Sequence, residues 1–367
     1  MRVIISAGGT GGHIYPALAI INKIKEREPK SEFLYIGTHN RMEKDIIPEK
    51  GIPFKSIEMY GLNRKQILKN FKAIKCLIRS YSDCKKYINE FKPDIVIGAG
   101  GYVTFPVIYA AKKLGYKTLI HEQNSVFGTS NKLLFKYSDK IAVSFKSSMK
   151  ELPSDKVFFS GNPVSENALK IKACDKKEFG LDDNKKLVLF VMGSLGSSKM
   201  NDFLINTMKL FEKKDYQIMF VTGKNMYDDV IKHKFPKNVF VVPFINDIAR
   251  LMKRTDLIIS RAGASTLSEI IALGLPSIII PSPYVTNNHQ YKNALDLKNI
   301  DACTLIEEKD LDSNKLIEEI DKIINNEERI KIMKNNLTQL KIDDSATIIY
   351  ENIKNLVDRK WLWILIV

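Results

Sequence analysis

The chain has no long apolar run. Nothing in it approaches the ~18 consecutive apolar residues that a membrane-crossing helix needs. Its longest apolar segments in the body of the chain, Leu187 to Met192 and Ser277 to Ile280, read as buried strands. Cysteine is scarce as well. Cys76, Cys84, Cys174 and Cys303 are scattered without metal-ligand spacing, which argues against a zinc or disulfide framework and predicts reduced structural thiols. No G-x-x-x-x-G-K-[ST] run is present, nor a good G-x-G-x-x-G, which weighs against ATPase and nicotinamide readings. There is no carboxylate triad and no His/Cys ligand cluster, so the sequence calls for no metal and no other cofactor. The start, Met1-Arg2-Val3-Ile4-Ile5-Ser6, runs straight into a strand pattern without a signal-peptide layout, which predicts a cytoplasmic protein.

Negative charge is short in one part of the chain. Residues 1–160 hold 27 Lys+Arg against 14 Asp+Glu, a net of +13, while the remainder is nearly neutral within an overall +15. A one-sided basic domain predicts an anionic partner surface, nucleic acid or membrane phosphate. No nucleic-acid module is recognisable, and aromatics are not interleaved with the basic run as strand stacking requires. A nucleic-acid-binding protein is therefore the non-enzyme alternative.

What is present is one plan written twice. The 367 residues suit two domains. Strand patterns alternate with helix patterns, which predicts an α/β protein with parallel sheets. Val3-Ile4-Ile5 leads into Gly8-Gly9-Thr10-Gly11-Gly12-His13 and a helix-like run from Pro16 to Ile24. Leu187 to Val191 leads likewise into Gly193-Ser194-Leu195-Gly196 and a helix pattern from about Met200. A second pair repeats this. Asp94 to Gly98 runs into Gly100-Gly101-Tyr102-Val103, and Asp256 to Ser260 into Gly263-Ala264-Ser265-Thr266. The boundary falls near Gly161-Asn162-Pro163, where turn residues cluster. The expected domains are 1–162, 163–343 and a C-terminal helix in 344–367 that crosses back to the first domain and ends in the apolar tail Trp361 to Val367. Two doubly wound domains predict a ligand cleft at the carboxyl ends of their strands.

Glycines at a strand-to-helix turn let backbone approach a ligand, and the helix N-terminus presents N–H groups and partial positive charge. Four such loops at equivalent places suit phosphate binding better than any one alone. His13, at the mouth of the first helix, is placed to act as a general base; the bland alternative is a polar residue closing the turn. His121-Glu122-Gln123-Asn124 puts four polar residues at a strand's carboxyl end, which predicts that they face a cleft. Thr266-Leu267-Ser268-Glu269 reads as a capping box, or as placing Glu269 on a ribose diol. Asn287-Asn288-His289-Gln290 offers amides to sugar hydroxyls, or is a plain polar loop.

Together these motifs resemble the MurG family of glycosyltransferase family 28, over about Met1 to Asp358. The likeness includes Gly161-Asn162-Pro163, Arg261 to Glu269, and Pro281 to Ala294 with His289-Gln290-Tyr291-x-Asn293-Ala294. The resemblance implies a GT-B fold, two Rossmann-like domains facing a cleft. It also implies an inverting, metal-independent transfer of GlcNAc from UDP-GlcNAc to the MurNAc C4 hydroxyl of undecaprenyl-pyrophosphoryl-MurNAc-pentapeptide (lipid I), giving lipid II for the bacterial cell wall, hence roles in cell shape and division. By matching positions, it puts Thr10, Gly11, Gly12, Asn124, Ser194, Ile245, Ala264, Ser265, Thr266, Leu267, Ser268, Glu269 and Gln290 on the donor. Ile245 would meet the uracil, Glu269 the ribose and Gln290 the GlcNAc. His13 and Glu122 are the catalytic candidates; Gly100, Gly101 and Tyr102 would serve the acceptor. The chain departs from the family where Ser165 replaces a common Arg, and where Met192 precedes Gly193-Ser194 and is expected to narrow that turn. Other two-Rossmann nucleotide-sugar enzymes, a lipid glycosyltransferase or a UDP-GlcNAc 2-epimerase, are the enzyme alternatives.

Between Gly61 and Lys92 stand nine Lys/Arg against two Asp/Glu. Ile67, Leu68, Phe71, Ile74, Ile78 and Tyr81 recur at helical spacing beside Lys65, Lys69, Lys72, Lys75 and Arg79. This reads either as a membrane-surface helix or as a helix packing that apolar stripe on the sheet. With a lipid-linked acceptor, the expectation is peripheral binding to anionic lipids at the cytoplasmic face of the cell membrane, where other cell-wall enzymes would be neighbours.

Overall fold

The computed structural model describes residues 1–60, 70–151, 155–193 and 198–364. Ser194, Ile67, Leu68, Lys65 and Lys69 therefore lie outside the described residues. The chain divides into two compact units. One comprises Met1–Val164 and the C-terminal segment from Asp344; the other is Ser165–Asp343.

The first unit is built on a seven-stranded sheet: β1 (Arg2–Ser6), β2 (Glu32–Thr38), β3 (Phe54–Ile57), β4 (Ile95–Gly98), β5 (Lys117–Glu122), β6 (Lys140–Val143) and β7 (Val157–Phe159). The order is β3-β2-β1-β4-β5-β6-β7, with every pairing parallel. Strands covered on both faces must be apolar throughout rather than alternating. Val3, Ile5, Ile95 and Ile97 turn to one buried cluster, and Ile4 and Val96 to the other. The first cluster is closed by two helices distant in sequence. Gly11–Arg27 supplies Ile14, Ile20, Ile21 and Ile24; Ser345–Ile364 supplies Ile349, Tyr350, Ile353 and Val357. Tyr350 also donates its hydroxyl to Glu28 at 3.1 Å.

The second unit repeats the plan with β8 (Leu187–Val191), β9 (Gln217–Val221), β10 (Val239–Val242), β11 (Leu257–Ser260), β12 (Ser277–Ile279) and β13 (Thr304–Leu305). Its order is β10-β9-β8-β11-β12-β13, again all parallel. Both sheets thus follow the doubly wound order in which the chain reverses direction beside the first strand, at β1/β4 and at β8/β11. The four glycine loops follow these four strands. They therefore flank the two reversal points, where α/β sheets bind ligands.

Two expectations need correction. The helix Ala264–Leu273 begins at Ala264 with Gly263 as its N-cap, so Thr266 is already its third residue and no capping box forms. The Met192 side chain is drawn into the apolar core and Gly193 takes φ 102°, while the rest of that turn, 194–197, lies outside the described residues. Finally, the apolar stripe expected on helix Asn70–Phe91 is split: Ile67, Leu68 and the Phe71 side chain lie outside the described residues, Tyr81 packs against the core, and Ile74 and Ile78 do not. The buried face is Ala73, Cys76, Ser80, Cys84 and Ile88, whereas Ile74 and Ile78 are 48% and 66% exposed. Small residues let much of this helix lie close, and Ile74 and Ile78 are left outside. All four cysteines are buried and unpaired with one another. No described helix is long and apolar enough to cross a membrane.

Candidate active site: two glycine-loop half-sites

In the first unit, the loop after β1 is held from every side. Tyr35 donates its hydroxyl to the Ala7 carbonyl at 2.9 Å. The Gly8 N–H donates to Gly100 O at 3.2 Å, which laces this loop to the one after β4. The Gly9 N–H donates to Glu43 Oε2 at 3.1 Å. The Thr10 carbonyl accepts from the N–H groups of both His13 and Ile14. Gly11 and Gly12 open the helix, so no carbonyl one turn back faces their N–H groups. Two such donors at the positive end of a helix dipole are the kind of group that suits an anion.

The second loop can approach this closely only because Gly100 and Gly101 lack side chains. They take φ values of 99° and 86°. A Cβ on Gly100 would run into the His13 ring, and one on Gly101 would lie 2.5 Å from Gly8 O. Tyr102 follows, largely exposed at the mouth. His13 rests against Gly100, with Nδ1 2.9 Å from Gly8 O. A carbonyl oxygen only accepts, so Nδ1 carries the proton. In the neutral ring the lone pair is then on Nε2, the nitrogen a base would use.

The polar run at the end of β5 is more internal than its composition predicts: His121, Glu122 and Gln123 are buried, and Asn124 is only partly so. Glu122 accepts from four donors: Asn124 N at 3.0 Å, Asn124 Nδ2 at 3.2 Å, Gly128 N at 3.0 Å and Asn131 Nδ2 at 2.9 Å. Such a carboxylate holds a loop. Gln123 donates to Ala99 O at 2.7 Å and contacts His121 Nδ1 at 3.1 Å. Ser144 Oγ and Gly161 O lie at 3.1 and 3.4 Å from His121 Nε2. Burial pushes His121 down to about 4, overriding the Gly161 carbonyl that pulls the other way, so it is a neutral core group.

In the second unit, the N–H groups of Ala264, Ser265 and Thr266 open their helix with no carbonyl ahead of them. The Ser265 hydroxyl is buried and has no hydrogen-bond partner among the described residues. Leu267 is buried against the core, and Ser268 spends its hydroxyl on Ala264 O at 2.8 Å. Glu269 makes no hydrogen bond or ion pair among the described residues, and burial pushes its carboxyl up to about 7. Ile245, beyond β10, is buried, with neither backbone group paired among the described residues. Gln290 lies in the first turn of the helix His289–Lys298, and its side-chain Oε1 accepts from Ser282 N at 2.8 Å. Among the described residues its side-chain N–H groups have no hydrogen-bond partner. Asn287 and Asn288 just before it take left-handed conformations.

Two supports escaped the sequence reading. Glu43 lies under the first loop. Arg261, quoted only as part of a motif, is buried and donates to Ile280 O at 3.1 Å and to Glu308 Oε2 at 2.6 Å. Burial alone would raise the Glu308 carboxyl, but Arg261 and Lys199 outweigh it and hold it below the usual range. Among the described residues no group of His, Cys, Asp or Glu is arranged to hold a metal ion.

Residues 3–143 match the glycosyltransferase family 28 N-terminal domain, and residues 187–348 match the family 28 C-terminal domain. The chain belongs to glycosyltransferase family 28. Its two parallel-sheet units have the GT-B fold of that family. The chain is 46% identical, over 98% of its length and all of the relative's, to a Bacillus cereus UDP-N-acetylglucosamine--N-acetylmuramyl-(pentapeptide) pyrophosphoryl-undecaprenol N-acetylglucosamine transferase. A Bacillus subtilis transferase of the same name is 44% identical over 97% of this chain and 99% of its own. Among solved structures, that of Acinetobacter baumannii MurG superposes with a TM-score of 0.77 at 26% identity, covering 96% of this chain and 99% of the other.

Proposed function

We propose that this family 28 enzyme moves GlcNAc from UDP-GlcNAc to the C4 hydroxyl of MurNAc in undecaprenyl-pyrophosphoryl-MurNAc-pentapeptide. The likeness to full-length transferases named for this reaction carries the reading. The chemistry of the two half-sites supports it. His13 Nε2 takes the acceptor's C4 proton, the O4 lone pair attacks C1 of GlcNAc, and UDP departs with the electron pair of the broken C1–O bond. Attack opposite the leaving group inverts C1. The N–H groups opening Ala264–Leu273 receive the diphosphate charge, with Ser265 beside them. Glu269 receives the ribose diol, Ile245 the uracil through its backbone, and Gln290 the GlcNAc. Thr10, Gly11 and Gly12 reach the donor, and Gly100, Gly101 and Tyr102 receive the acceptor. Glu122 shapes the loop that carries Asn124 and is not the base.

The enzyme acts, on this reading, while bound peripherally to the inner leaflet. Ile74 and Ile78 on the solvent face of Asn70–Phe91, with Lys75 and Arg79 also exposed there, support it. Such a pairing suits an anionic bilayer surface, at about 1 kcal/mol for each basic residue near it.

The deciding experiment is transfer of labelled GlcNAc to a lipid I analogue. Wild type should form disaccharide. His13→Ala should cut kcat by about 100-fold or more with UDP affinity unchanged. No disaccharide from the wild-type enzyme would sink the reaction, and undiminished turnover in the variant would remove His13 as base.

A further inference from the structure

Two hydrogen bonds at the first loop share one peptide group. The Gly8 carbonyl accepts from His13 Nδ1 at 2.9 Å, and the Gly9 N–H, the other end of that amide, donates to Glu43 Oε2 at 3.1 Å. A trans peptide points its C=O and N–H in opposite directions. The imidazole therefore lies on one side of the Gly8–Gly9 amide and the carboxylate on the other. The sequence makes room for this. A Cβ on Gly8 would run into Glu43 Oε1, and Gly9 takes φ 94°.

Glu43 is fully buried. Besides Gly9 it accepts from Thr38 N at 3.0 Å and Thr38 Oγ1 at 2.5 Å, both at Oε1. Three donors face it, and among the described residues no Lys or Arg pairs with it. A structural carboxylate could fasten the loop by these bonds alone. Its position at the far end of His13's own hydrogen-bond acceptor adds something more.

We propose that Glu43 is a positioning residue for His13, acting through the Gly8–Gly9 peptide as the carboxylate partner of the base. The proposal rests on His13 being that base. When Nε2 takes the acceptor's proton, the ring becomes a cation whose Nδ1–H bonds harder to Gly8 O. Glu43 polarises that same amide from its N–H end, and chained hydrogen bonds strengthen one another in a buried site. An opposite charge so linked favours the protonated ring. The other titratable groups nearby do not supply this charge. His121 is neutral, pushed down to about 4 by burial. The Tyr35 phenol, pushed up by burial and by Glu43, stays neutral. Glu122 is turned to Asn124, Gly128 and Asn131. Glu43 also removes the Gly9 N–H from the ligand, so phosphate recognition falls to Gly11 and Gly12.

Glu43→Gln keeps the volume and the acceptor for Thr38, but turns an NH2 group on the Gly9 N–H. In this variant the NMR titration midpoint of His13 should fall by about one pH unit. The acid limb of the kcat/KM profile should fall with it, kcat should drop about tenfold, and KM for UDP-GlcNAc should hold. In a His13→Ala background, Glu43→Gln should cost no further turnover. In the unmutated protein, the Gly9 amide resonance should follow the His13 titration curve, which tests the relay even if the variant folds poorly. A folded Glu43→Gln with an unshifted His13 midpoint, or a Gly9 amide indifferent to that titration, overturns the relay. Full turnover in His13→Ala alone would instead overturn the base assignment, and the Gly9 titration would still judge the relay.

Discussion

Gly101→Ala should separate the first two loops. Two costs add. The alanine must hold φ 86°, which for a residue with a Cβ costs about 1–2 kcal/mol. Its Cβ would also sit 2.5 Å from Gly8 O, 3.2 Å from Gly8 C and 3.3 Å from Gly8 N. These are backbone atoms, so no side chain can swing away. The loop must retreat and strain the Gly8 N to Gly100 O bond, worth about 1 kcal/mol. The sum, ~2–3 kcal/mol, predicts a fall of about 4–12 °C in the melting temperature of the first unit. Gly115→Ala is the internal control. Gly115 has φ 82°, and a Cβ added there would meet nothing within 4 Å, so it carries the conformational cost without the collision. Thermal melting, UDP binding by calorimetry and GlcNAc transfer should be measured on both variants. Gly101→Ala should melt lower than Gly115→Ala and lose most transfer while still binding UDP. Equal melting of the two, with transfer intact in Gly101→Ala, would refute the claim that loop contact sets this glycine.

Two further tests concern the second unit and the exposed helix. With the Glu269 carboxyl raised to about 7 in the fold against an ordinary 4.5, the folded protein holds the proton more tightly. Stability from this group is full below about 4.5 and declines as pH rises toward about 7. A ribose diol donates to the ionised form, so UDP-GlcNAc affinity should rise with pH up to about 7 and then level, and Glu269→Gln should flatten that curve; calorimetry across pH would show it, and an unchanged slope in the variant would remove Glu269 from the ribose. Replacing Ile74 and Ile78 together by Ser should weaken binding to anionic vesicles by about tenfold or more, from the apolar area they would bury, without lowering the melting point. Unaltered co-sedimentation would count against this face.

Much of the scaffold could be read from periodicity. The apolar strands, the small-residue loops and the repeat of the two halves are local patterns, and the sheets follow from them. The supports beneath the loops were not readable in this way. Glu43 stands in Arg41-Met42-Glu43-Lys44-Asp45, which looks like a solvated charged turn. Its partners are five residues back at Thr38 and 34 back at Gly9, so only the fold shows that the carboxylate is buried. The burial of His121 to Gln123 was hidden for the same reason: composition cannot tell side chains that bond one another inside from side chains at a surface. Helix Asn70–Phe91 misled because the first turns of its inner face are the small residues Ala73, Cys76 and Ser80, which hydropathy undervalues.

The helix Ser345–Ile364 gives the protein an order of assembly. As the chain leaves the ribosome, the first sheet emerges early, but the layer over Ile14, Ile20 and Ile21 stays open until Ile349, Ile353 and Val357 arrive. The second unit, Ser165–Asp343, is by then already synthesised and is continuous in sequence. The unit made first is therefore the one completed last. A nascent chain stalled before residue 344 would carry a finished second unit and an uncovered apolar face on the first, a surface suited to chaperones until release.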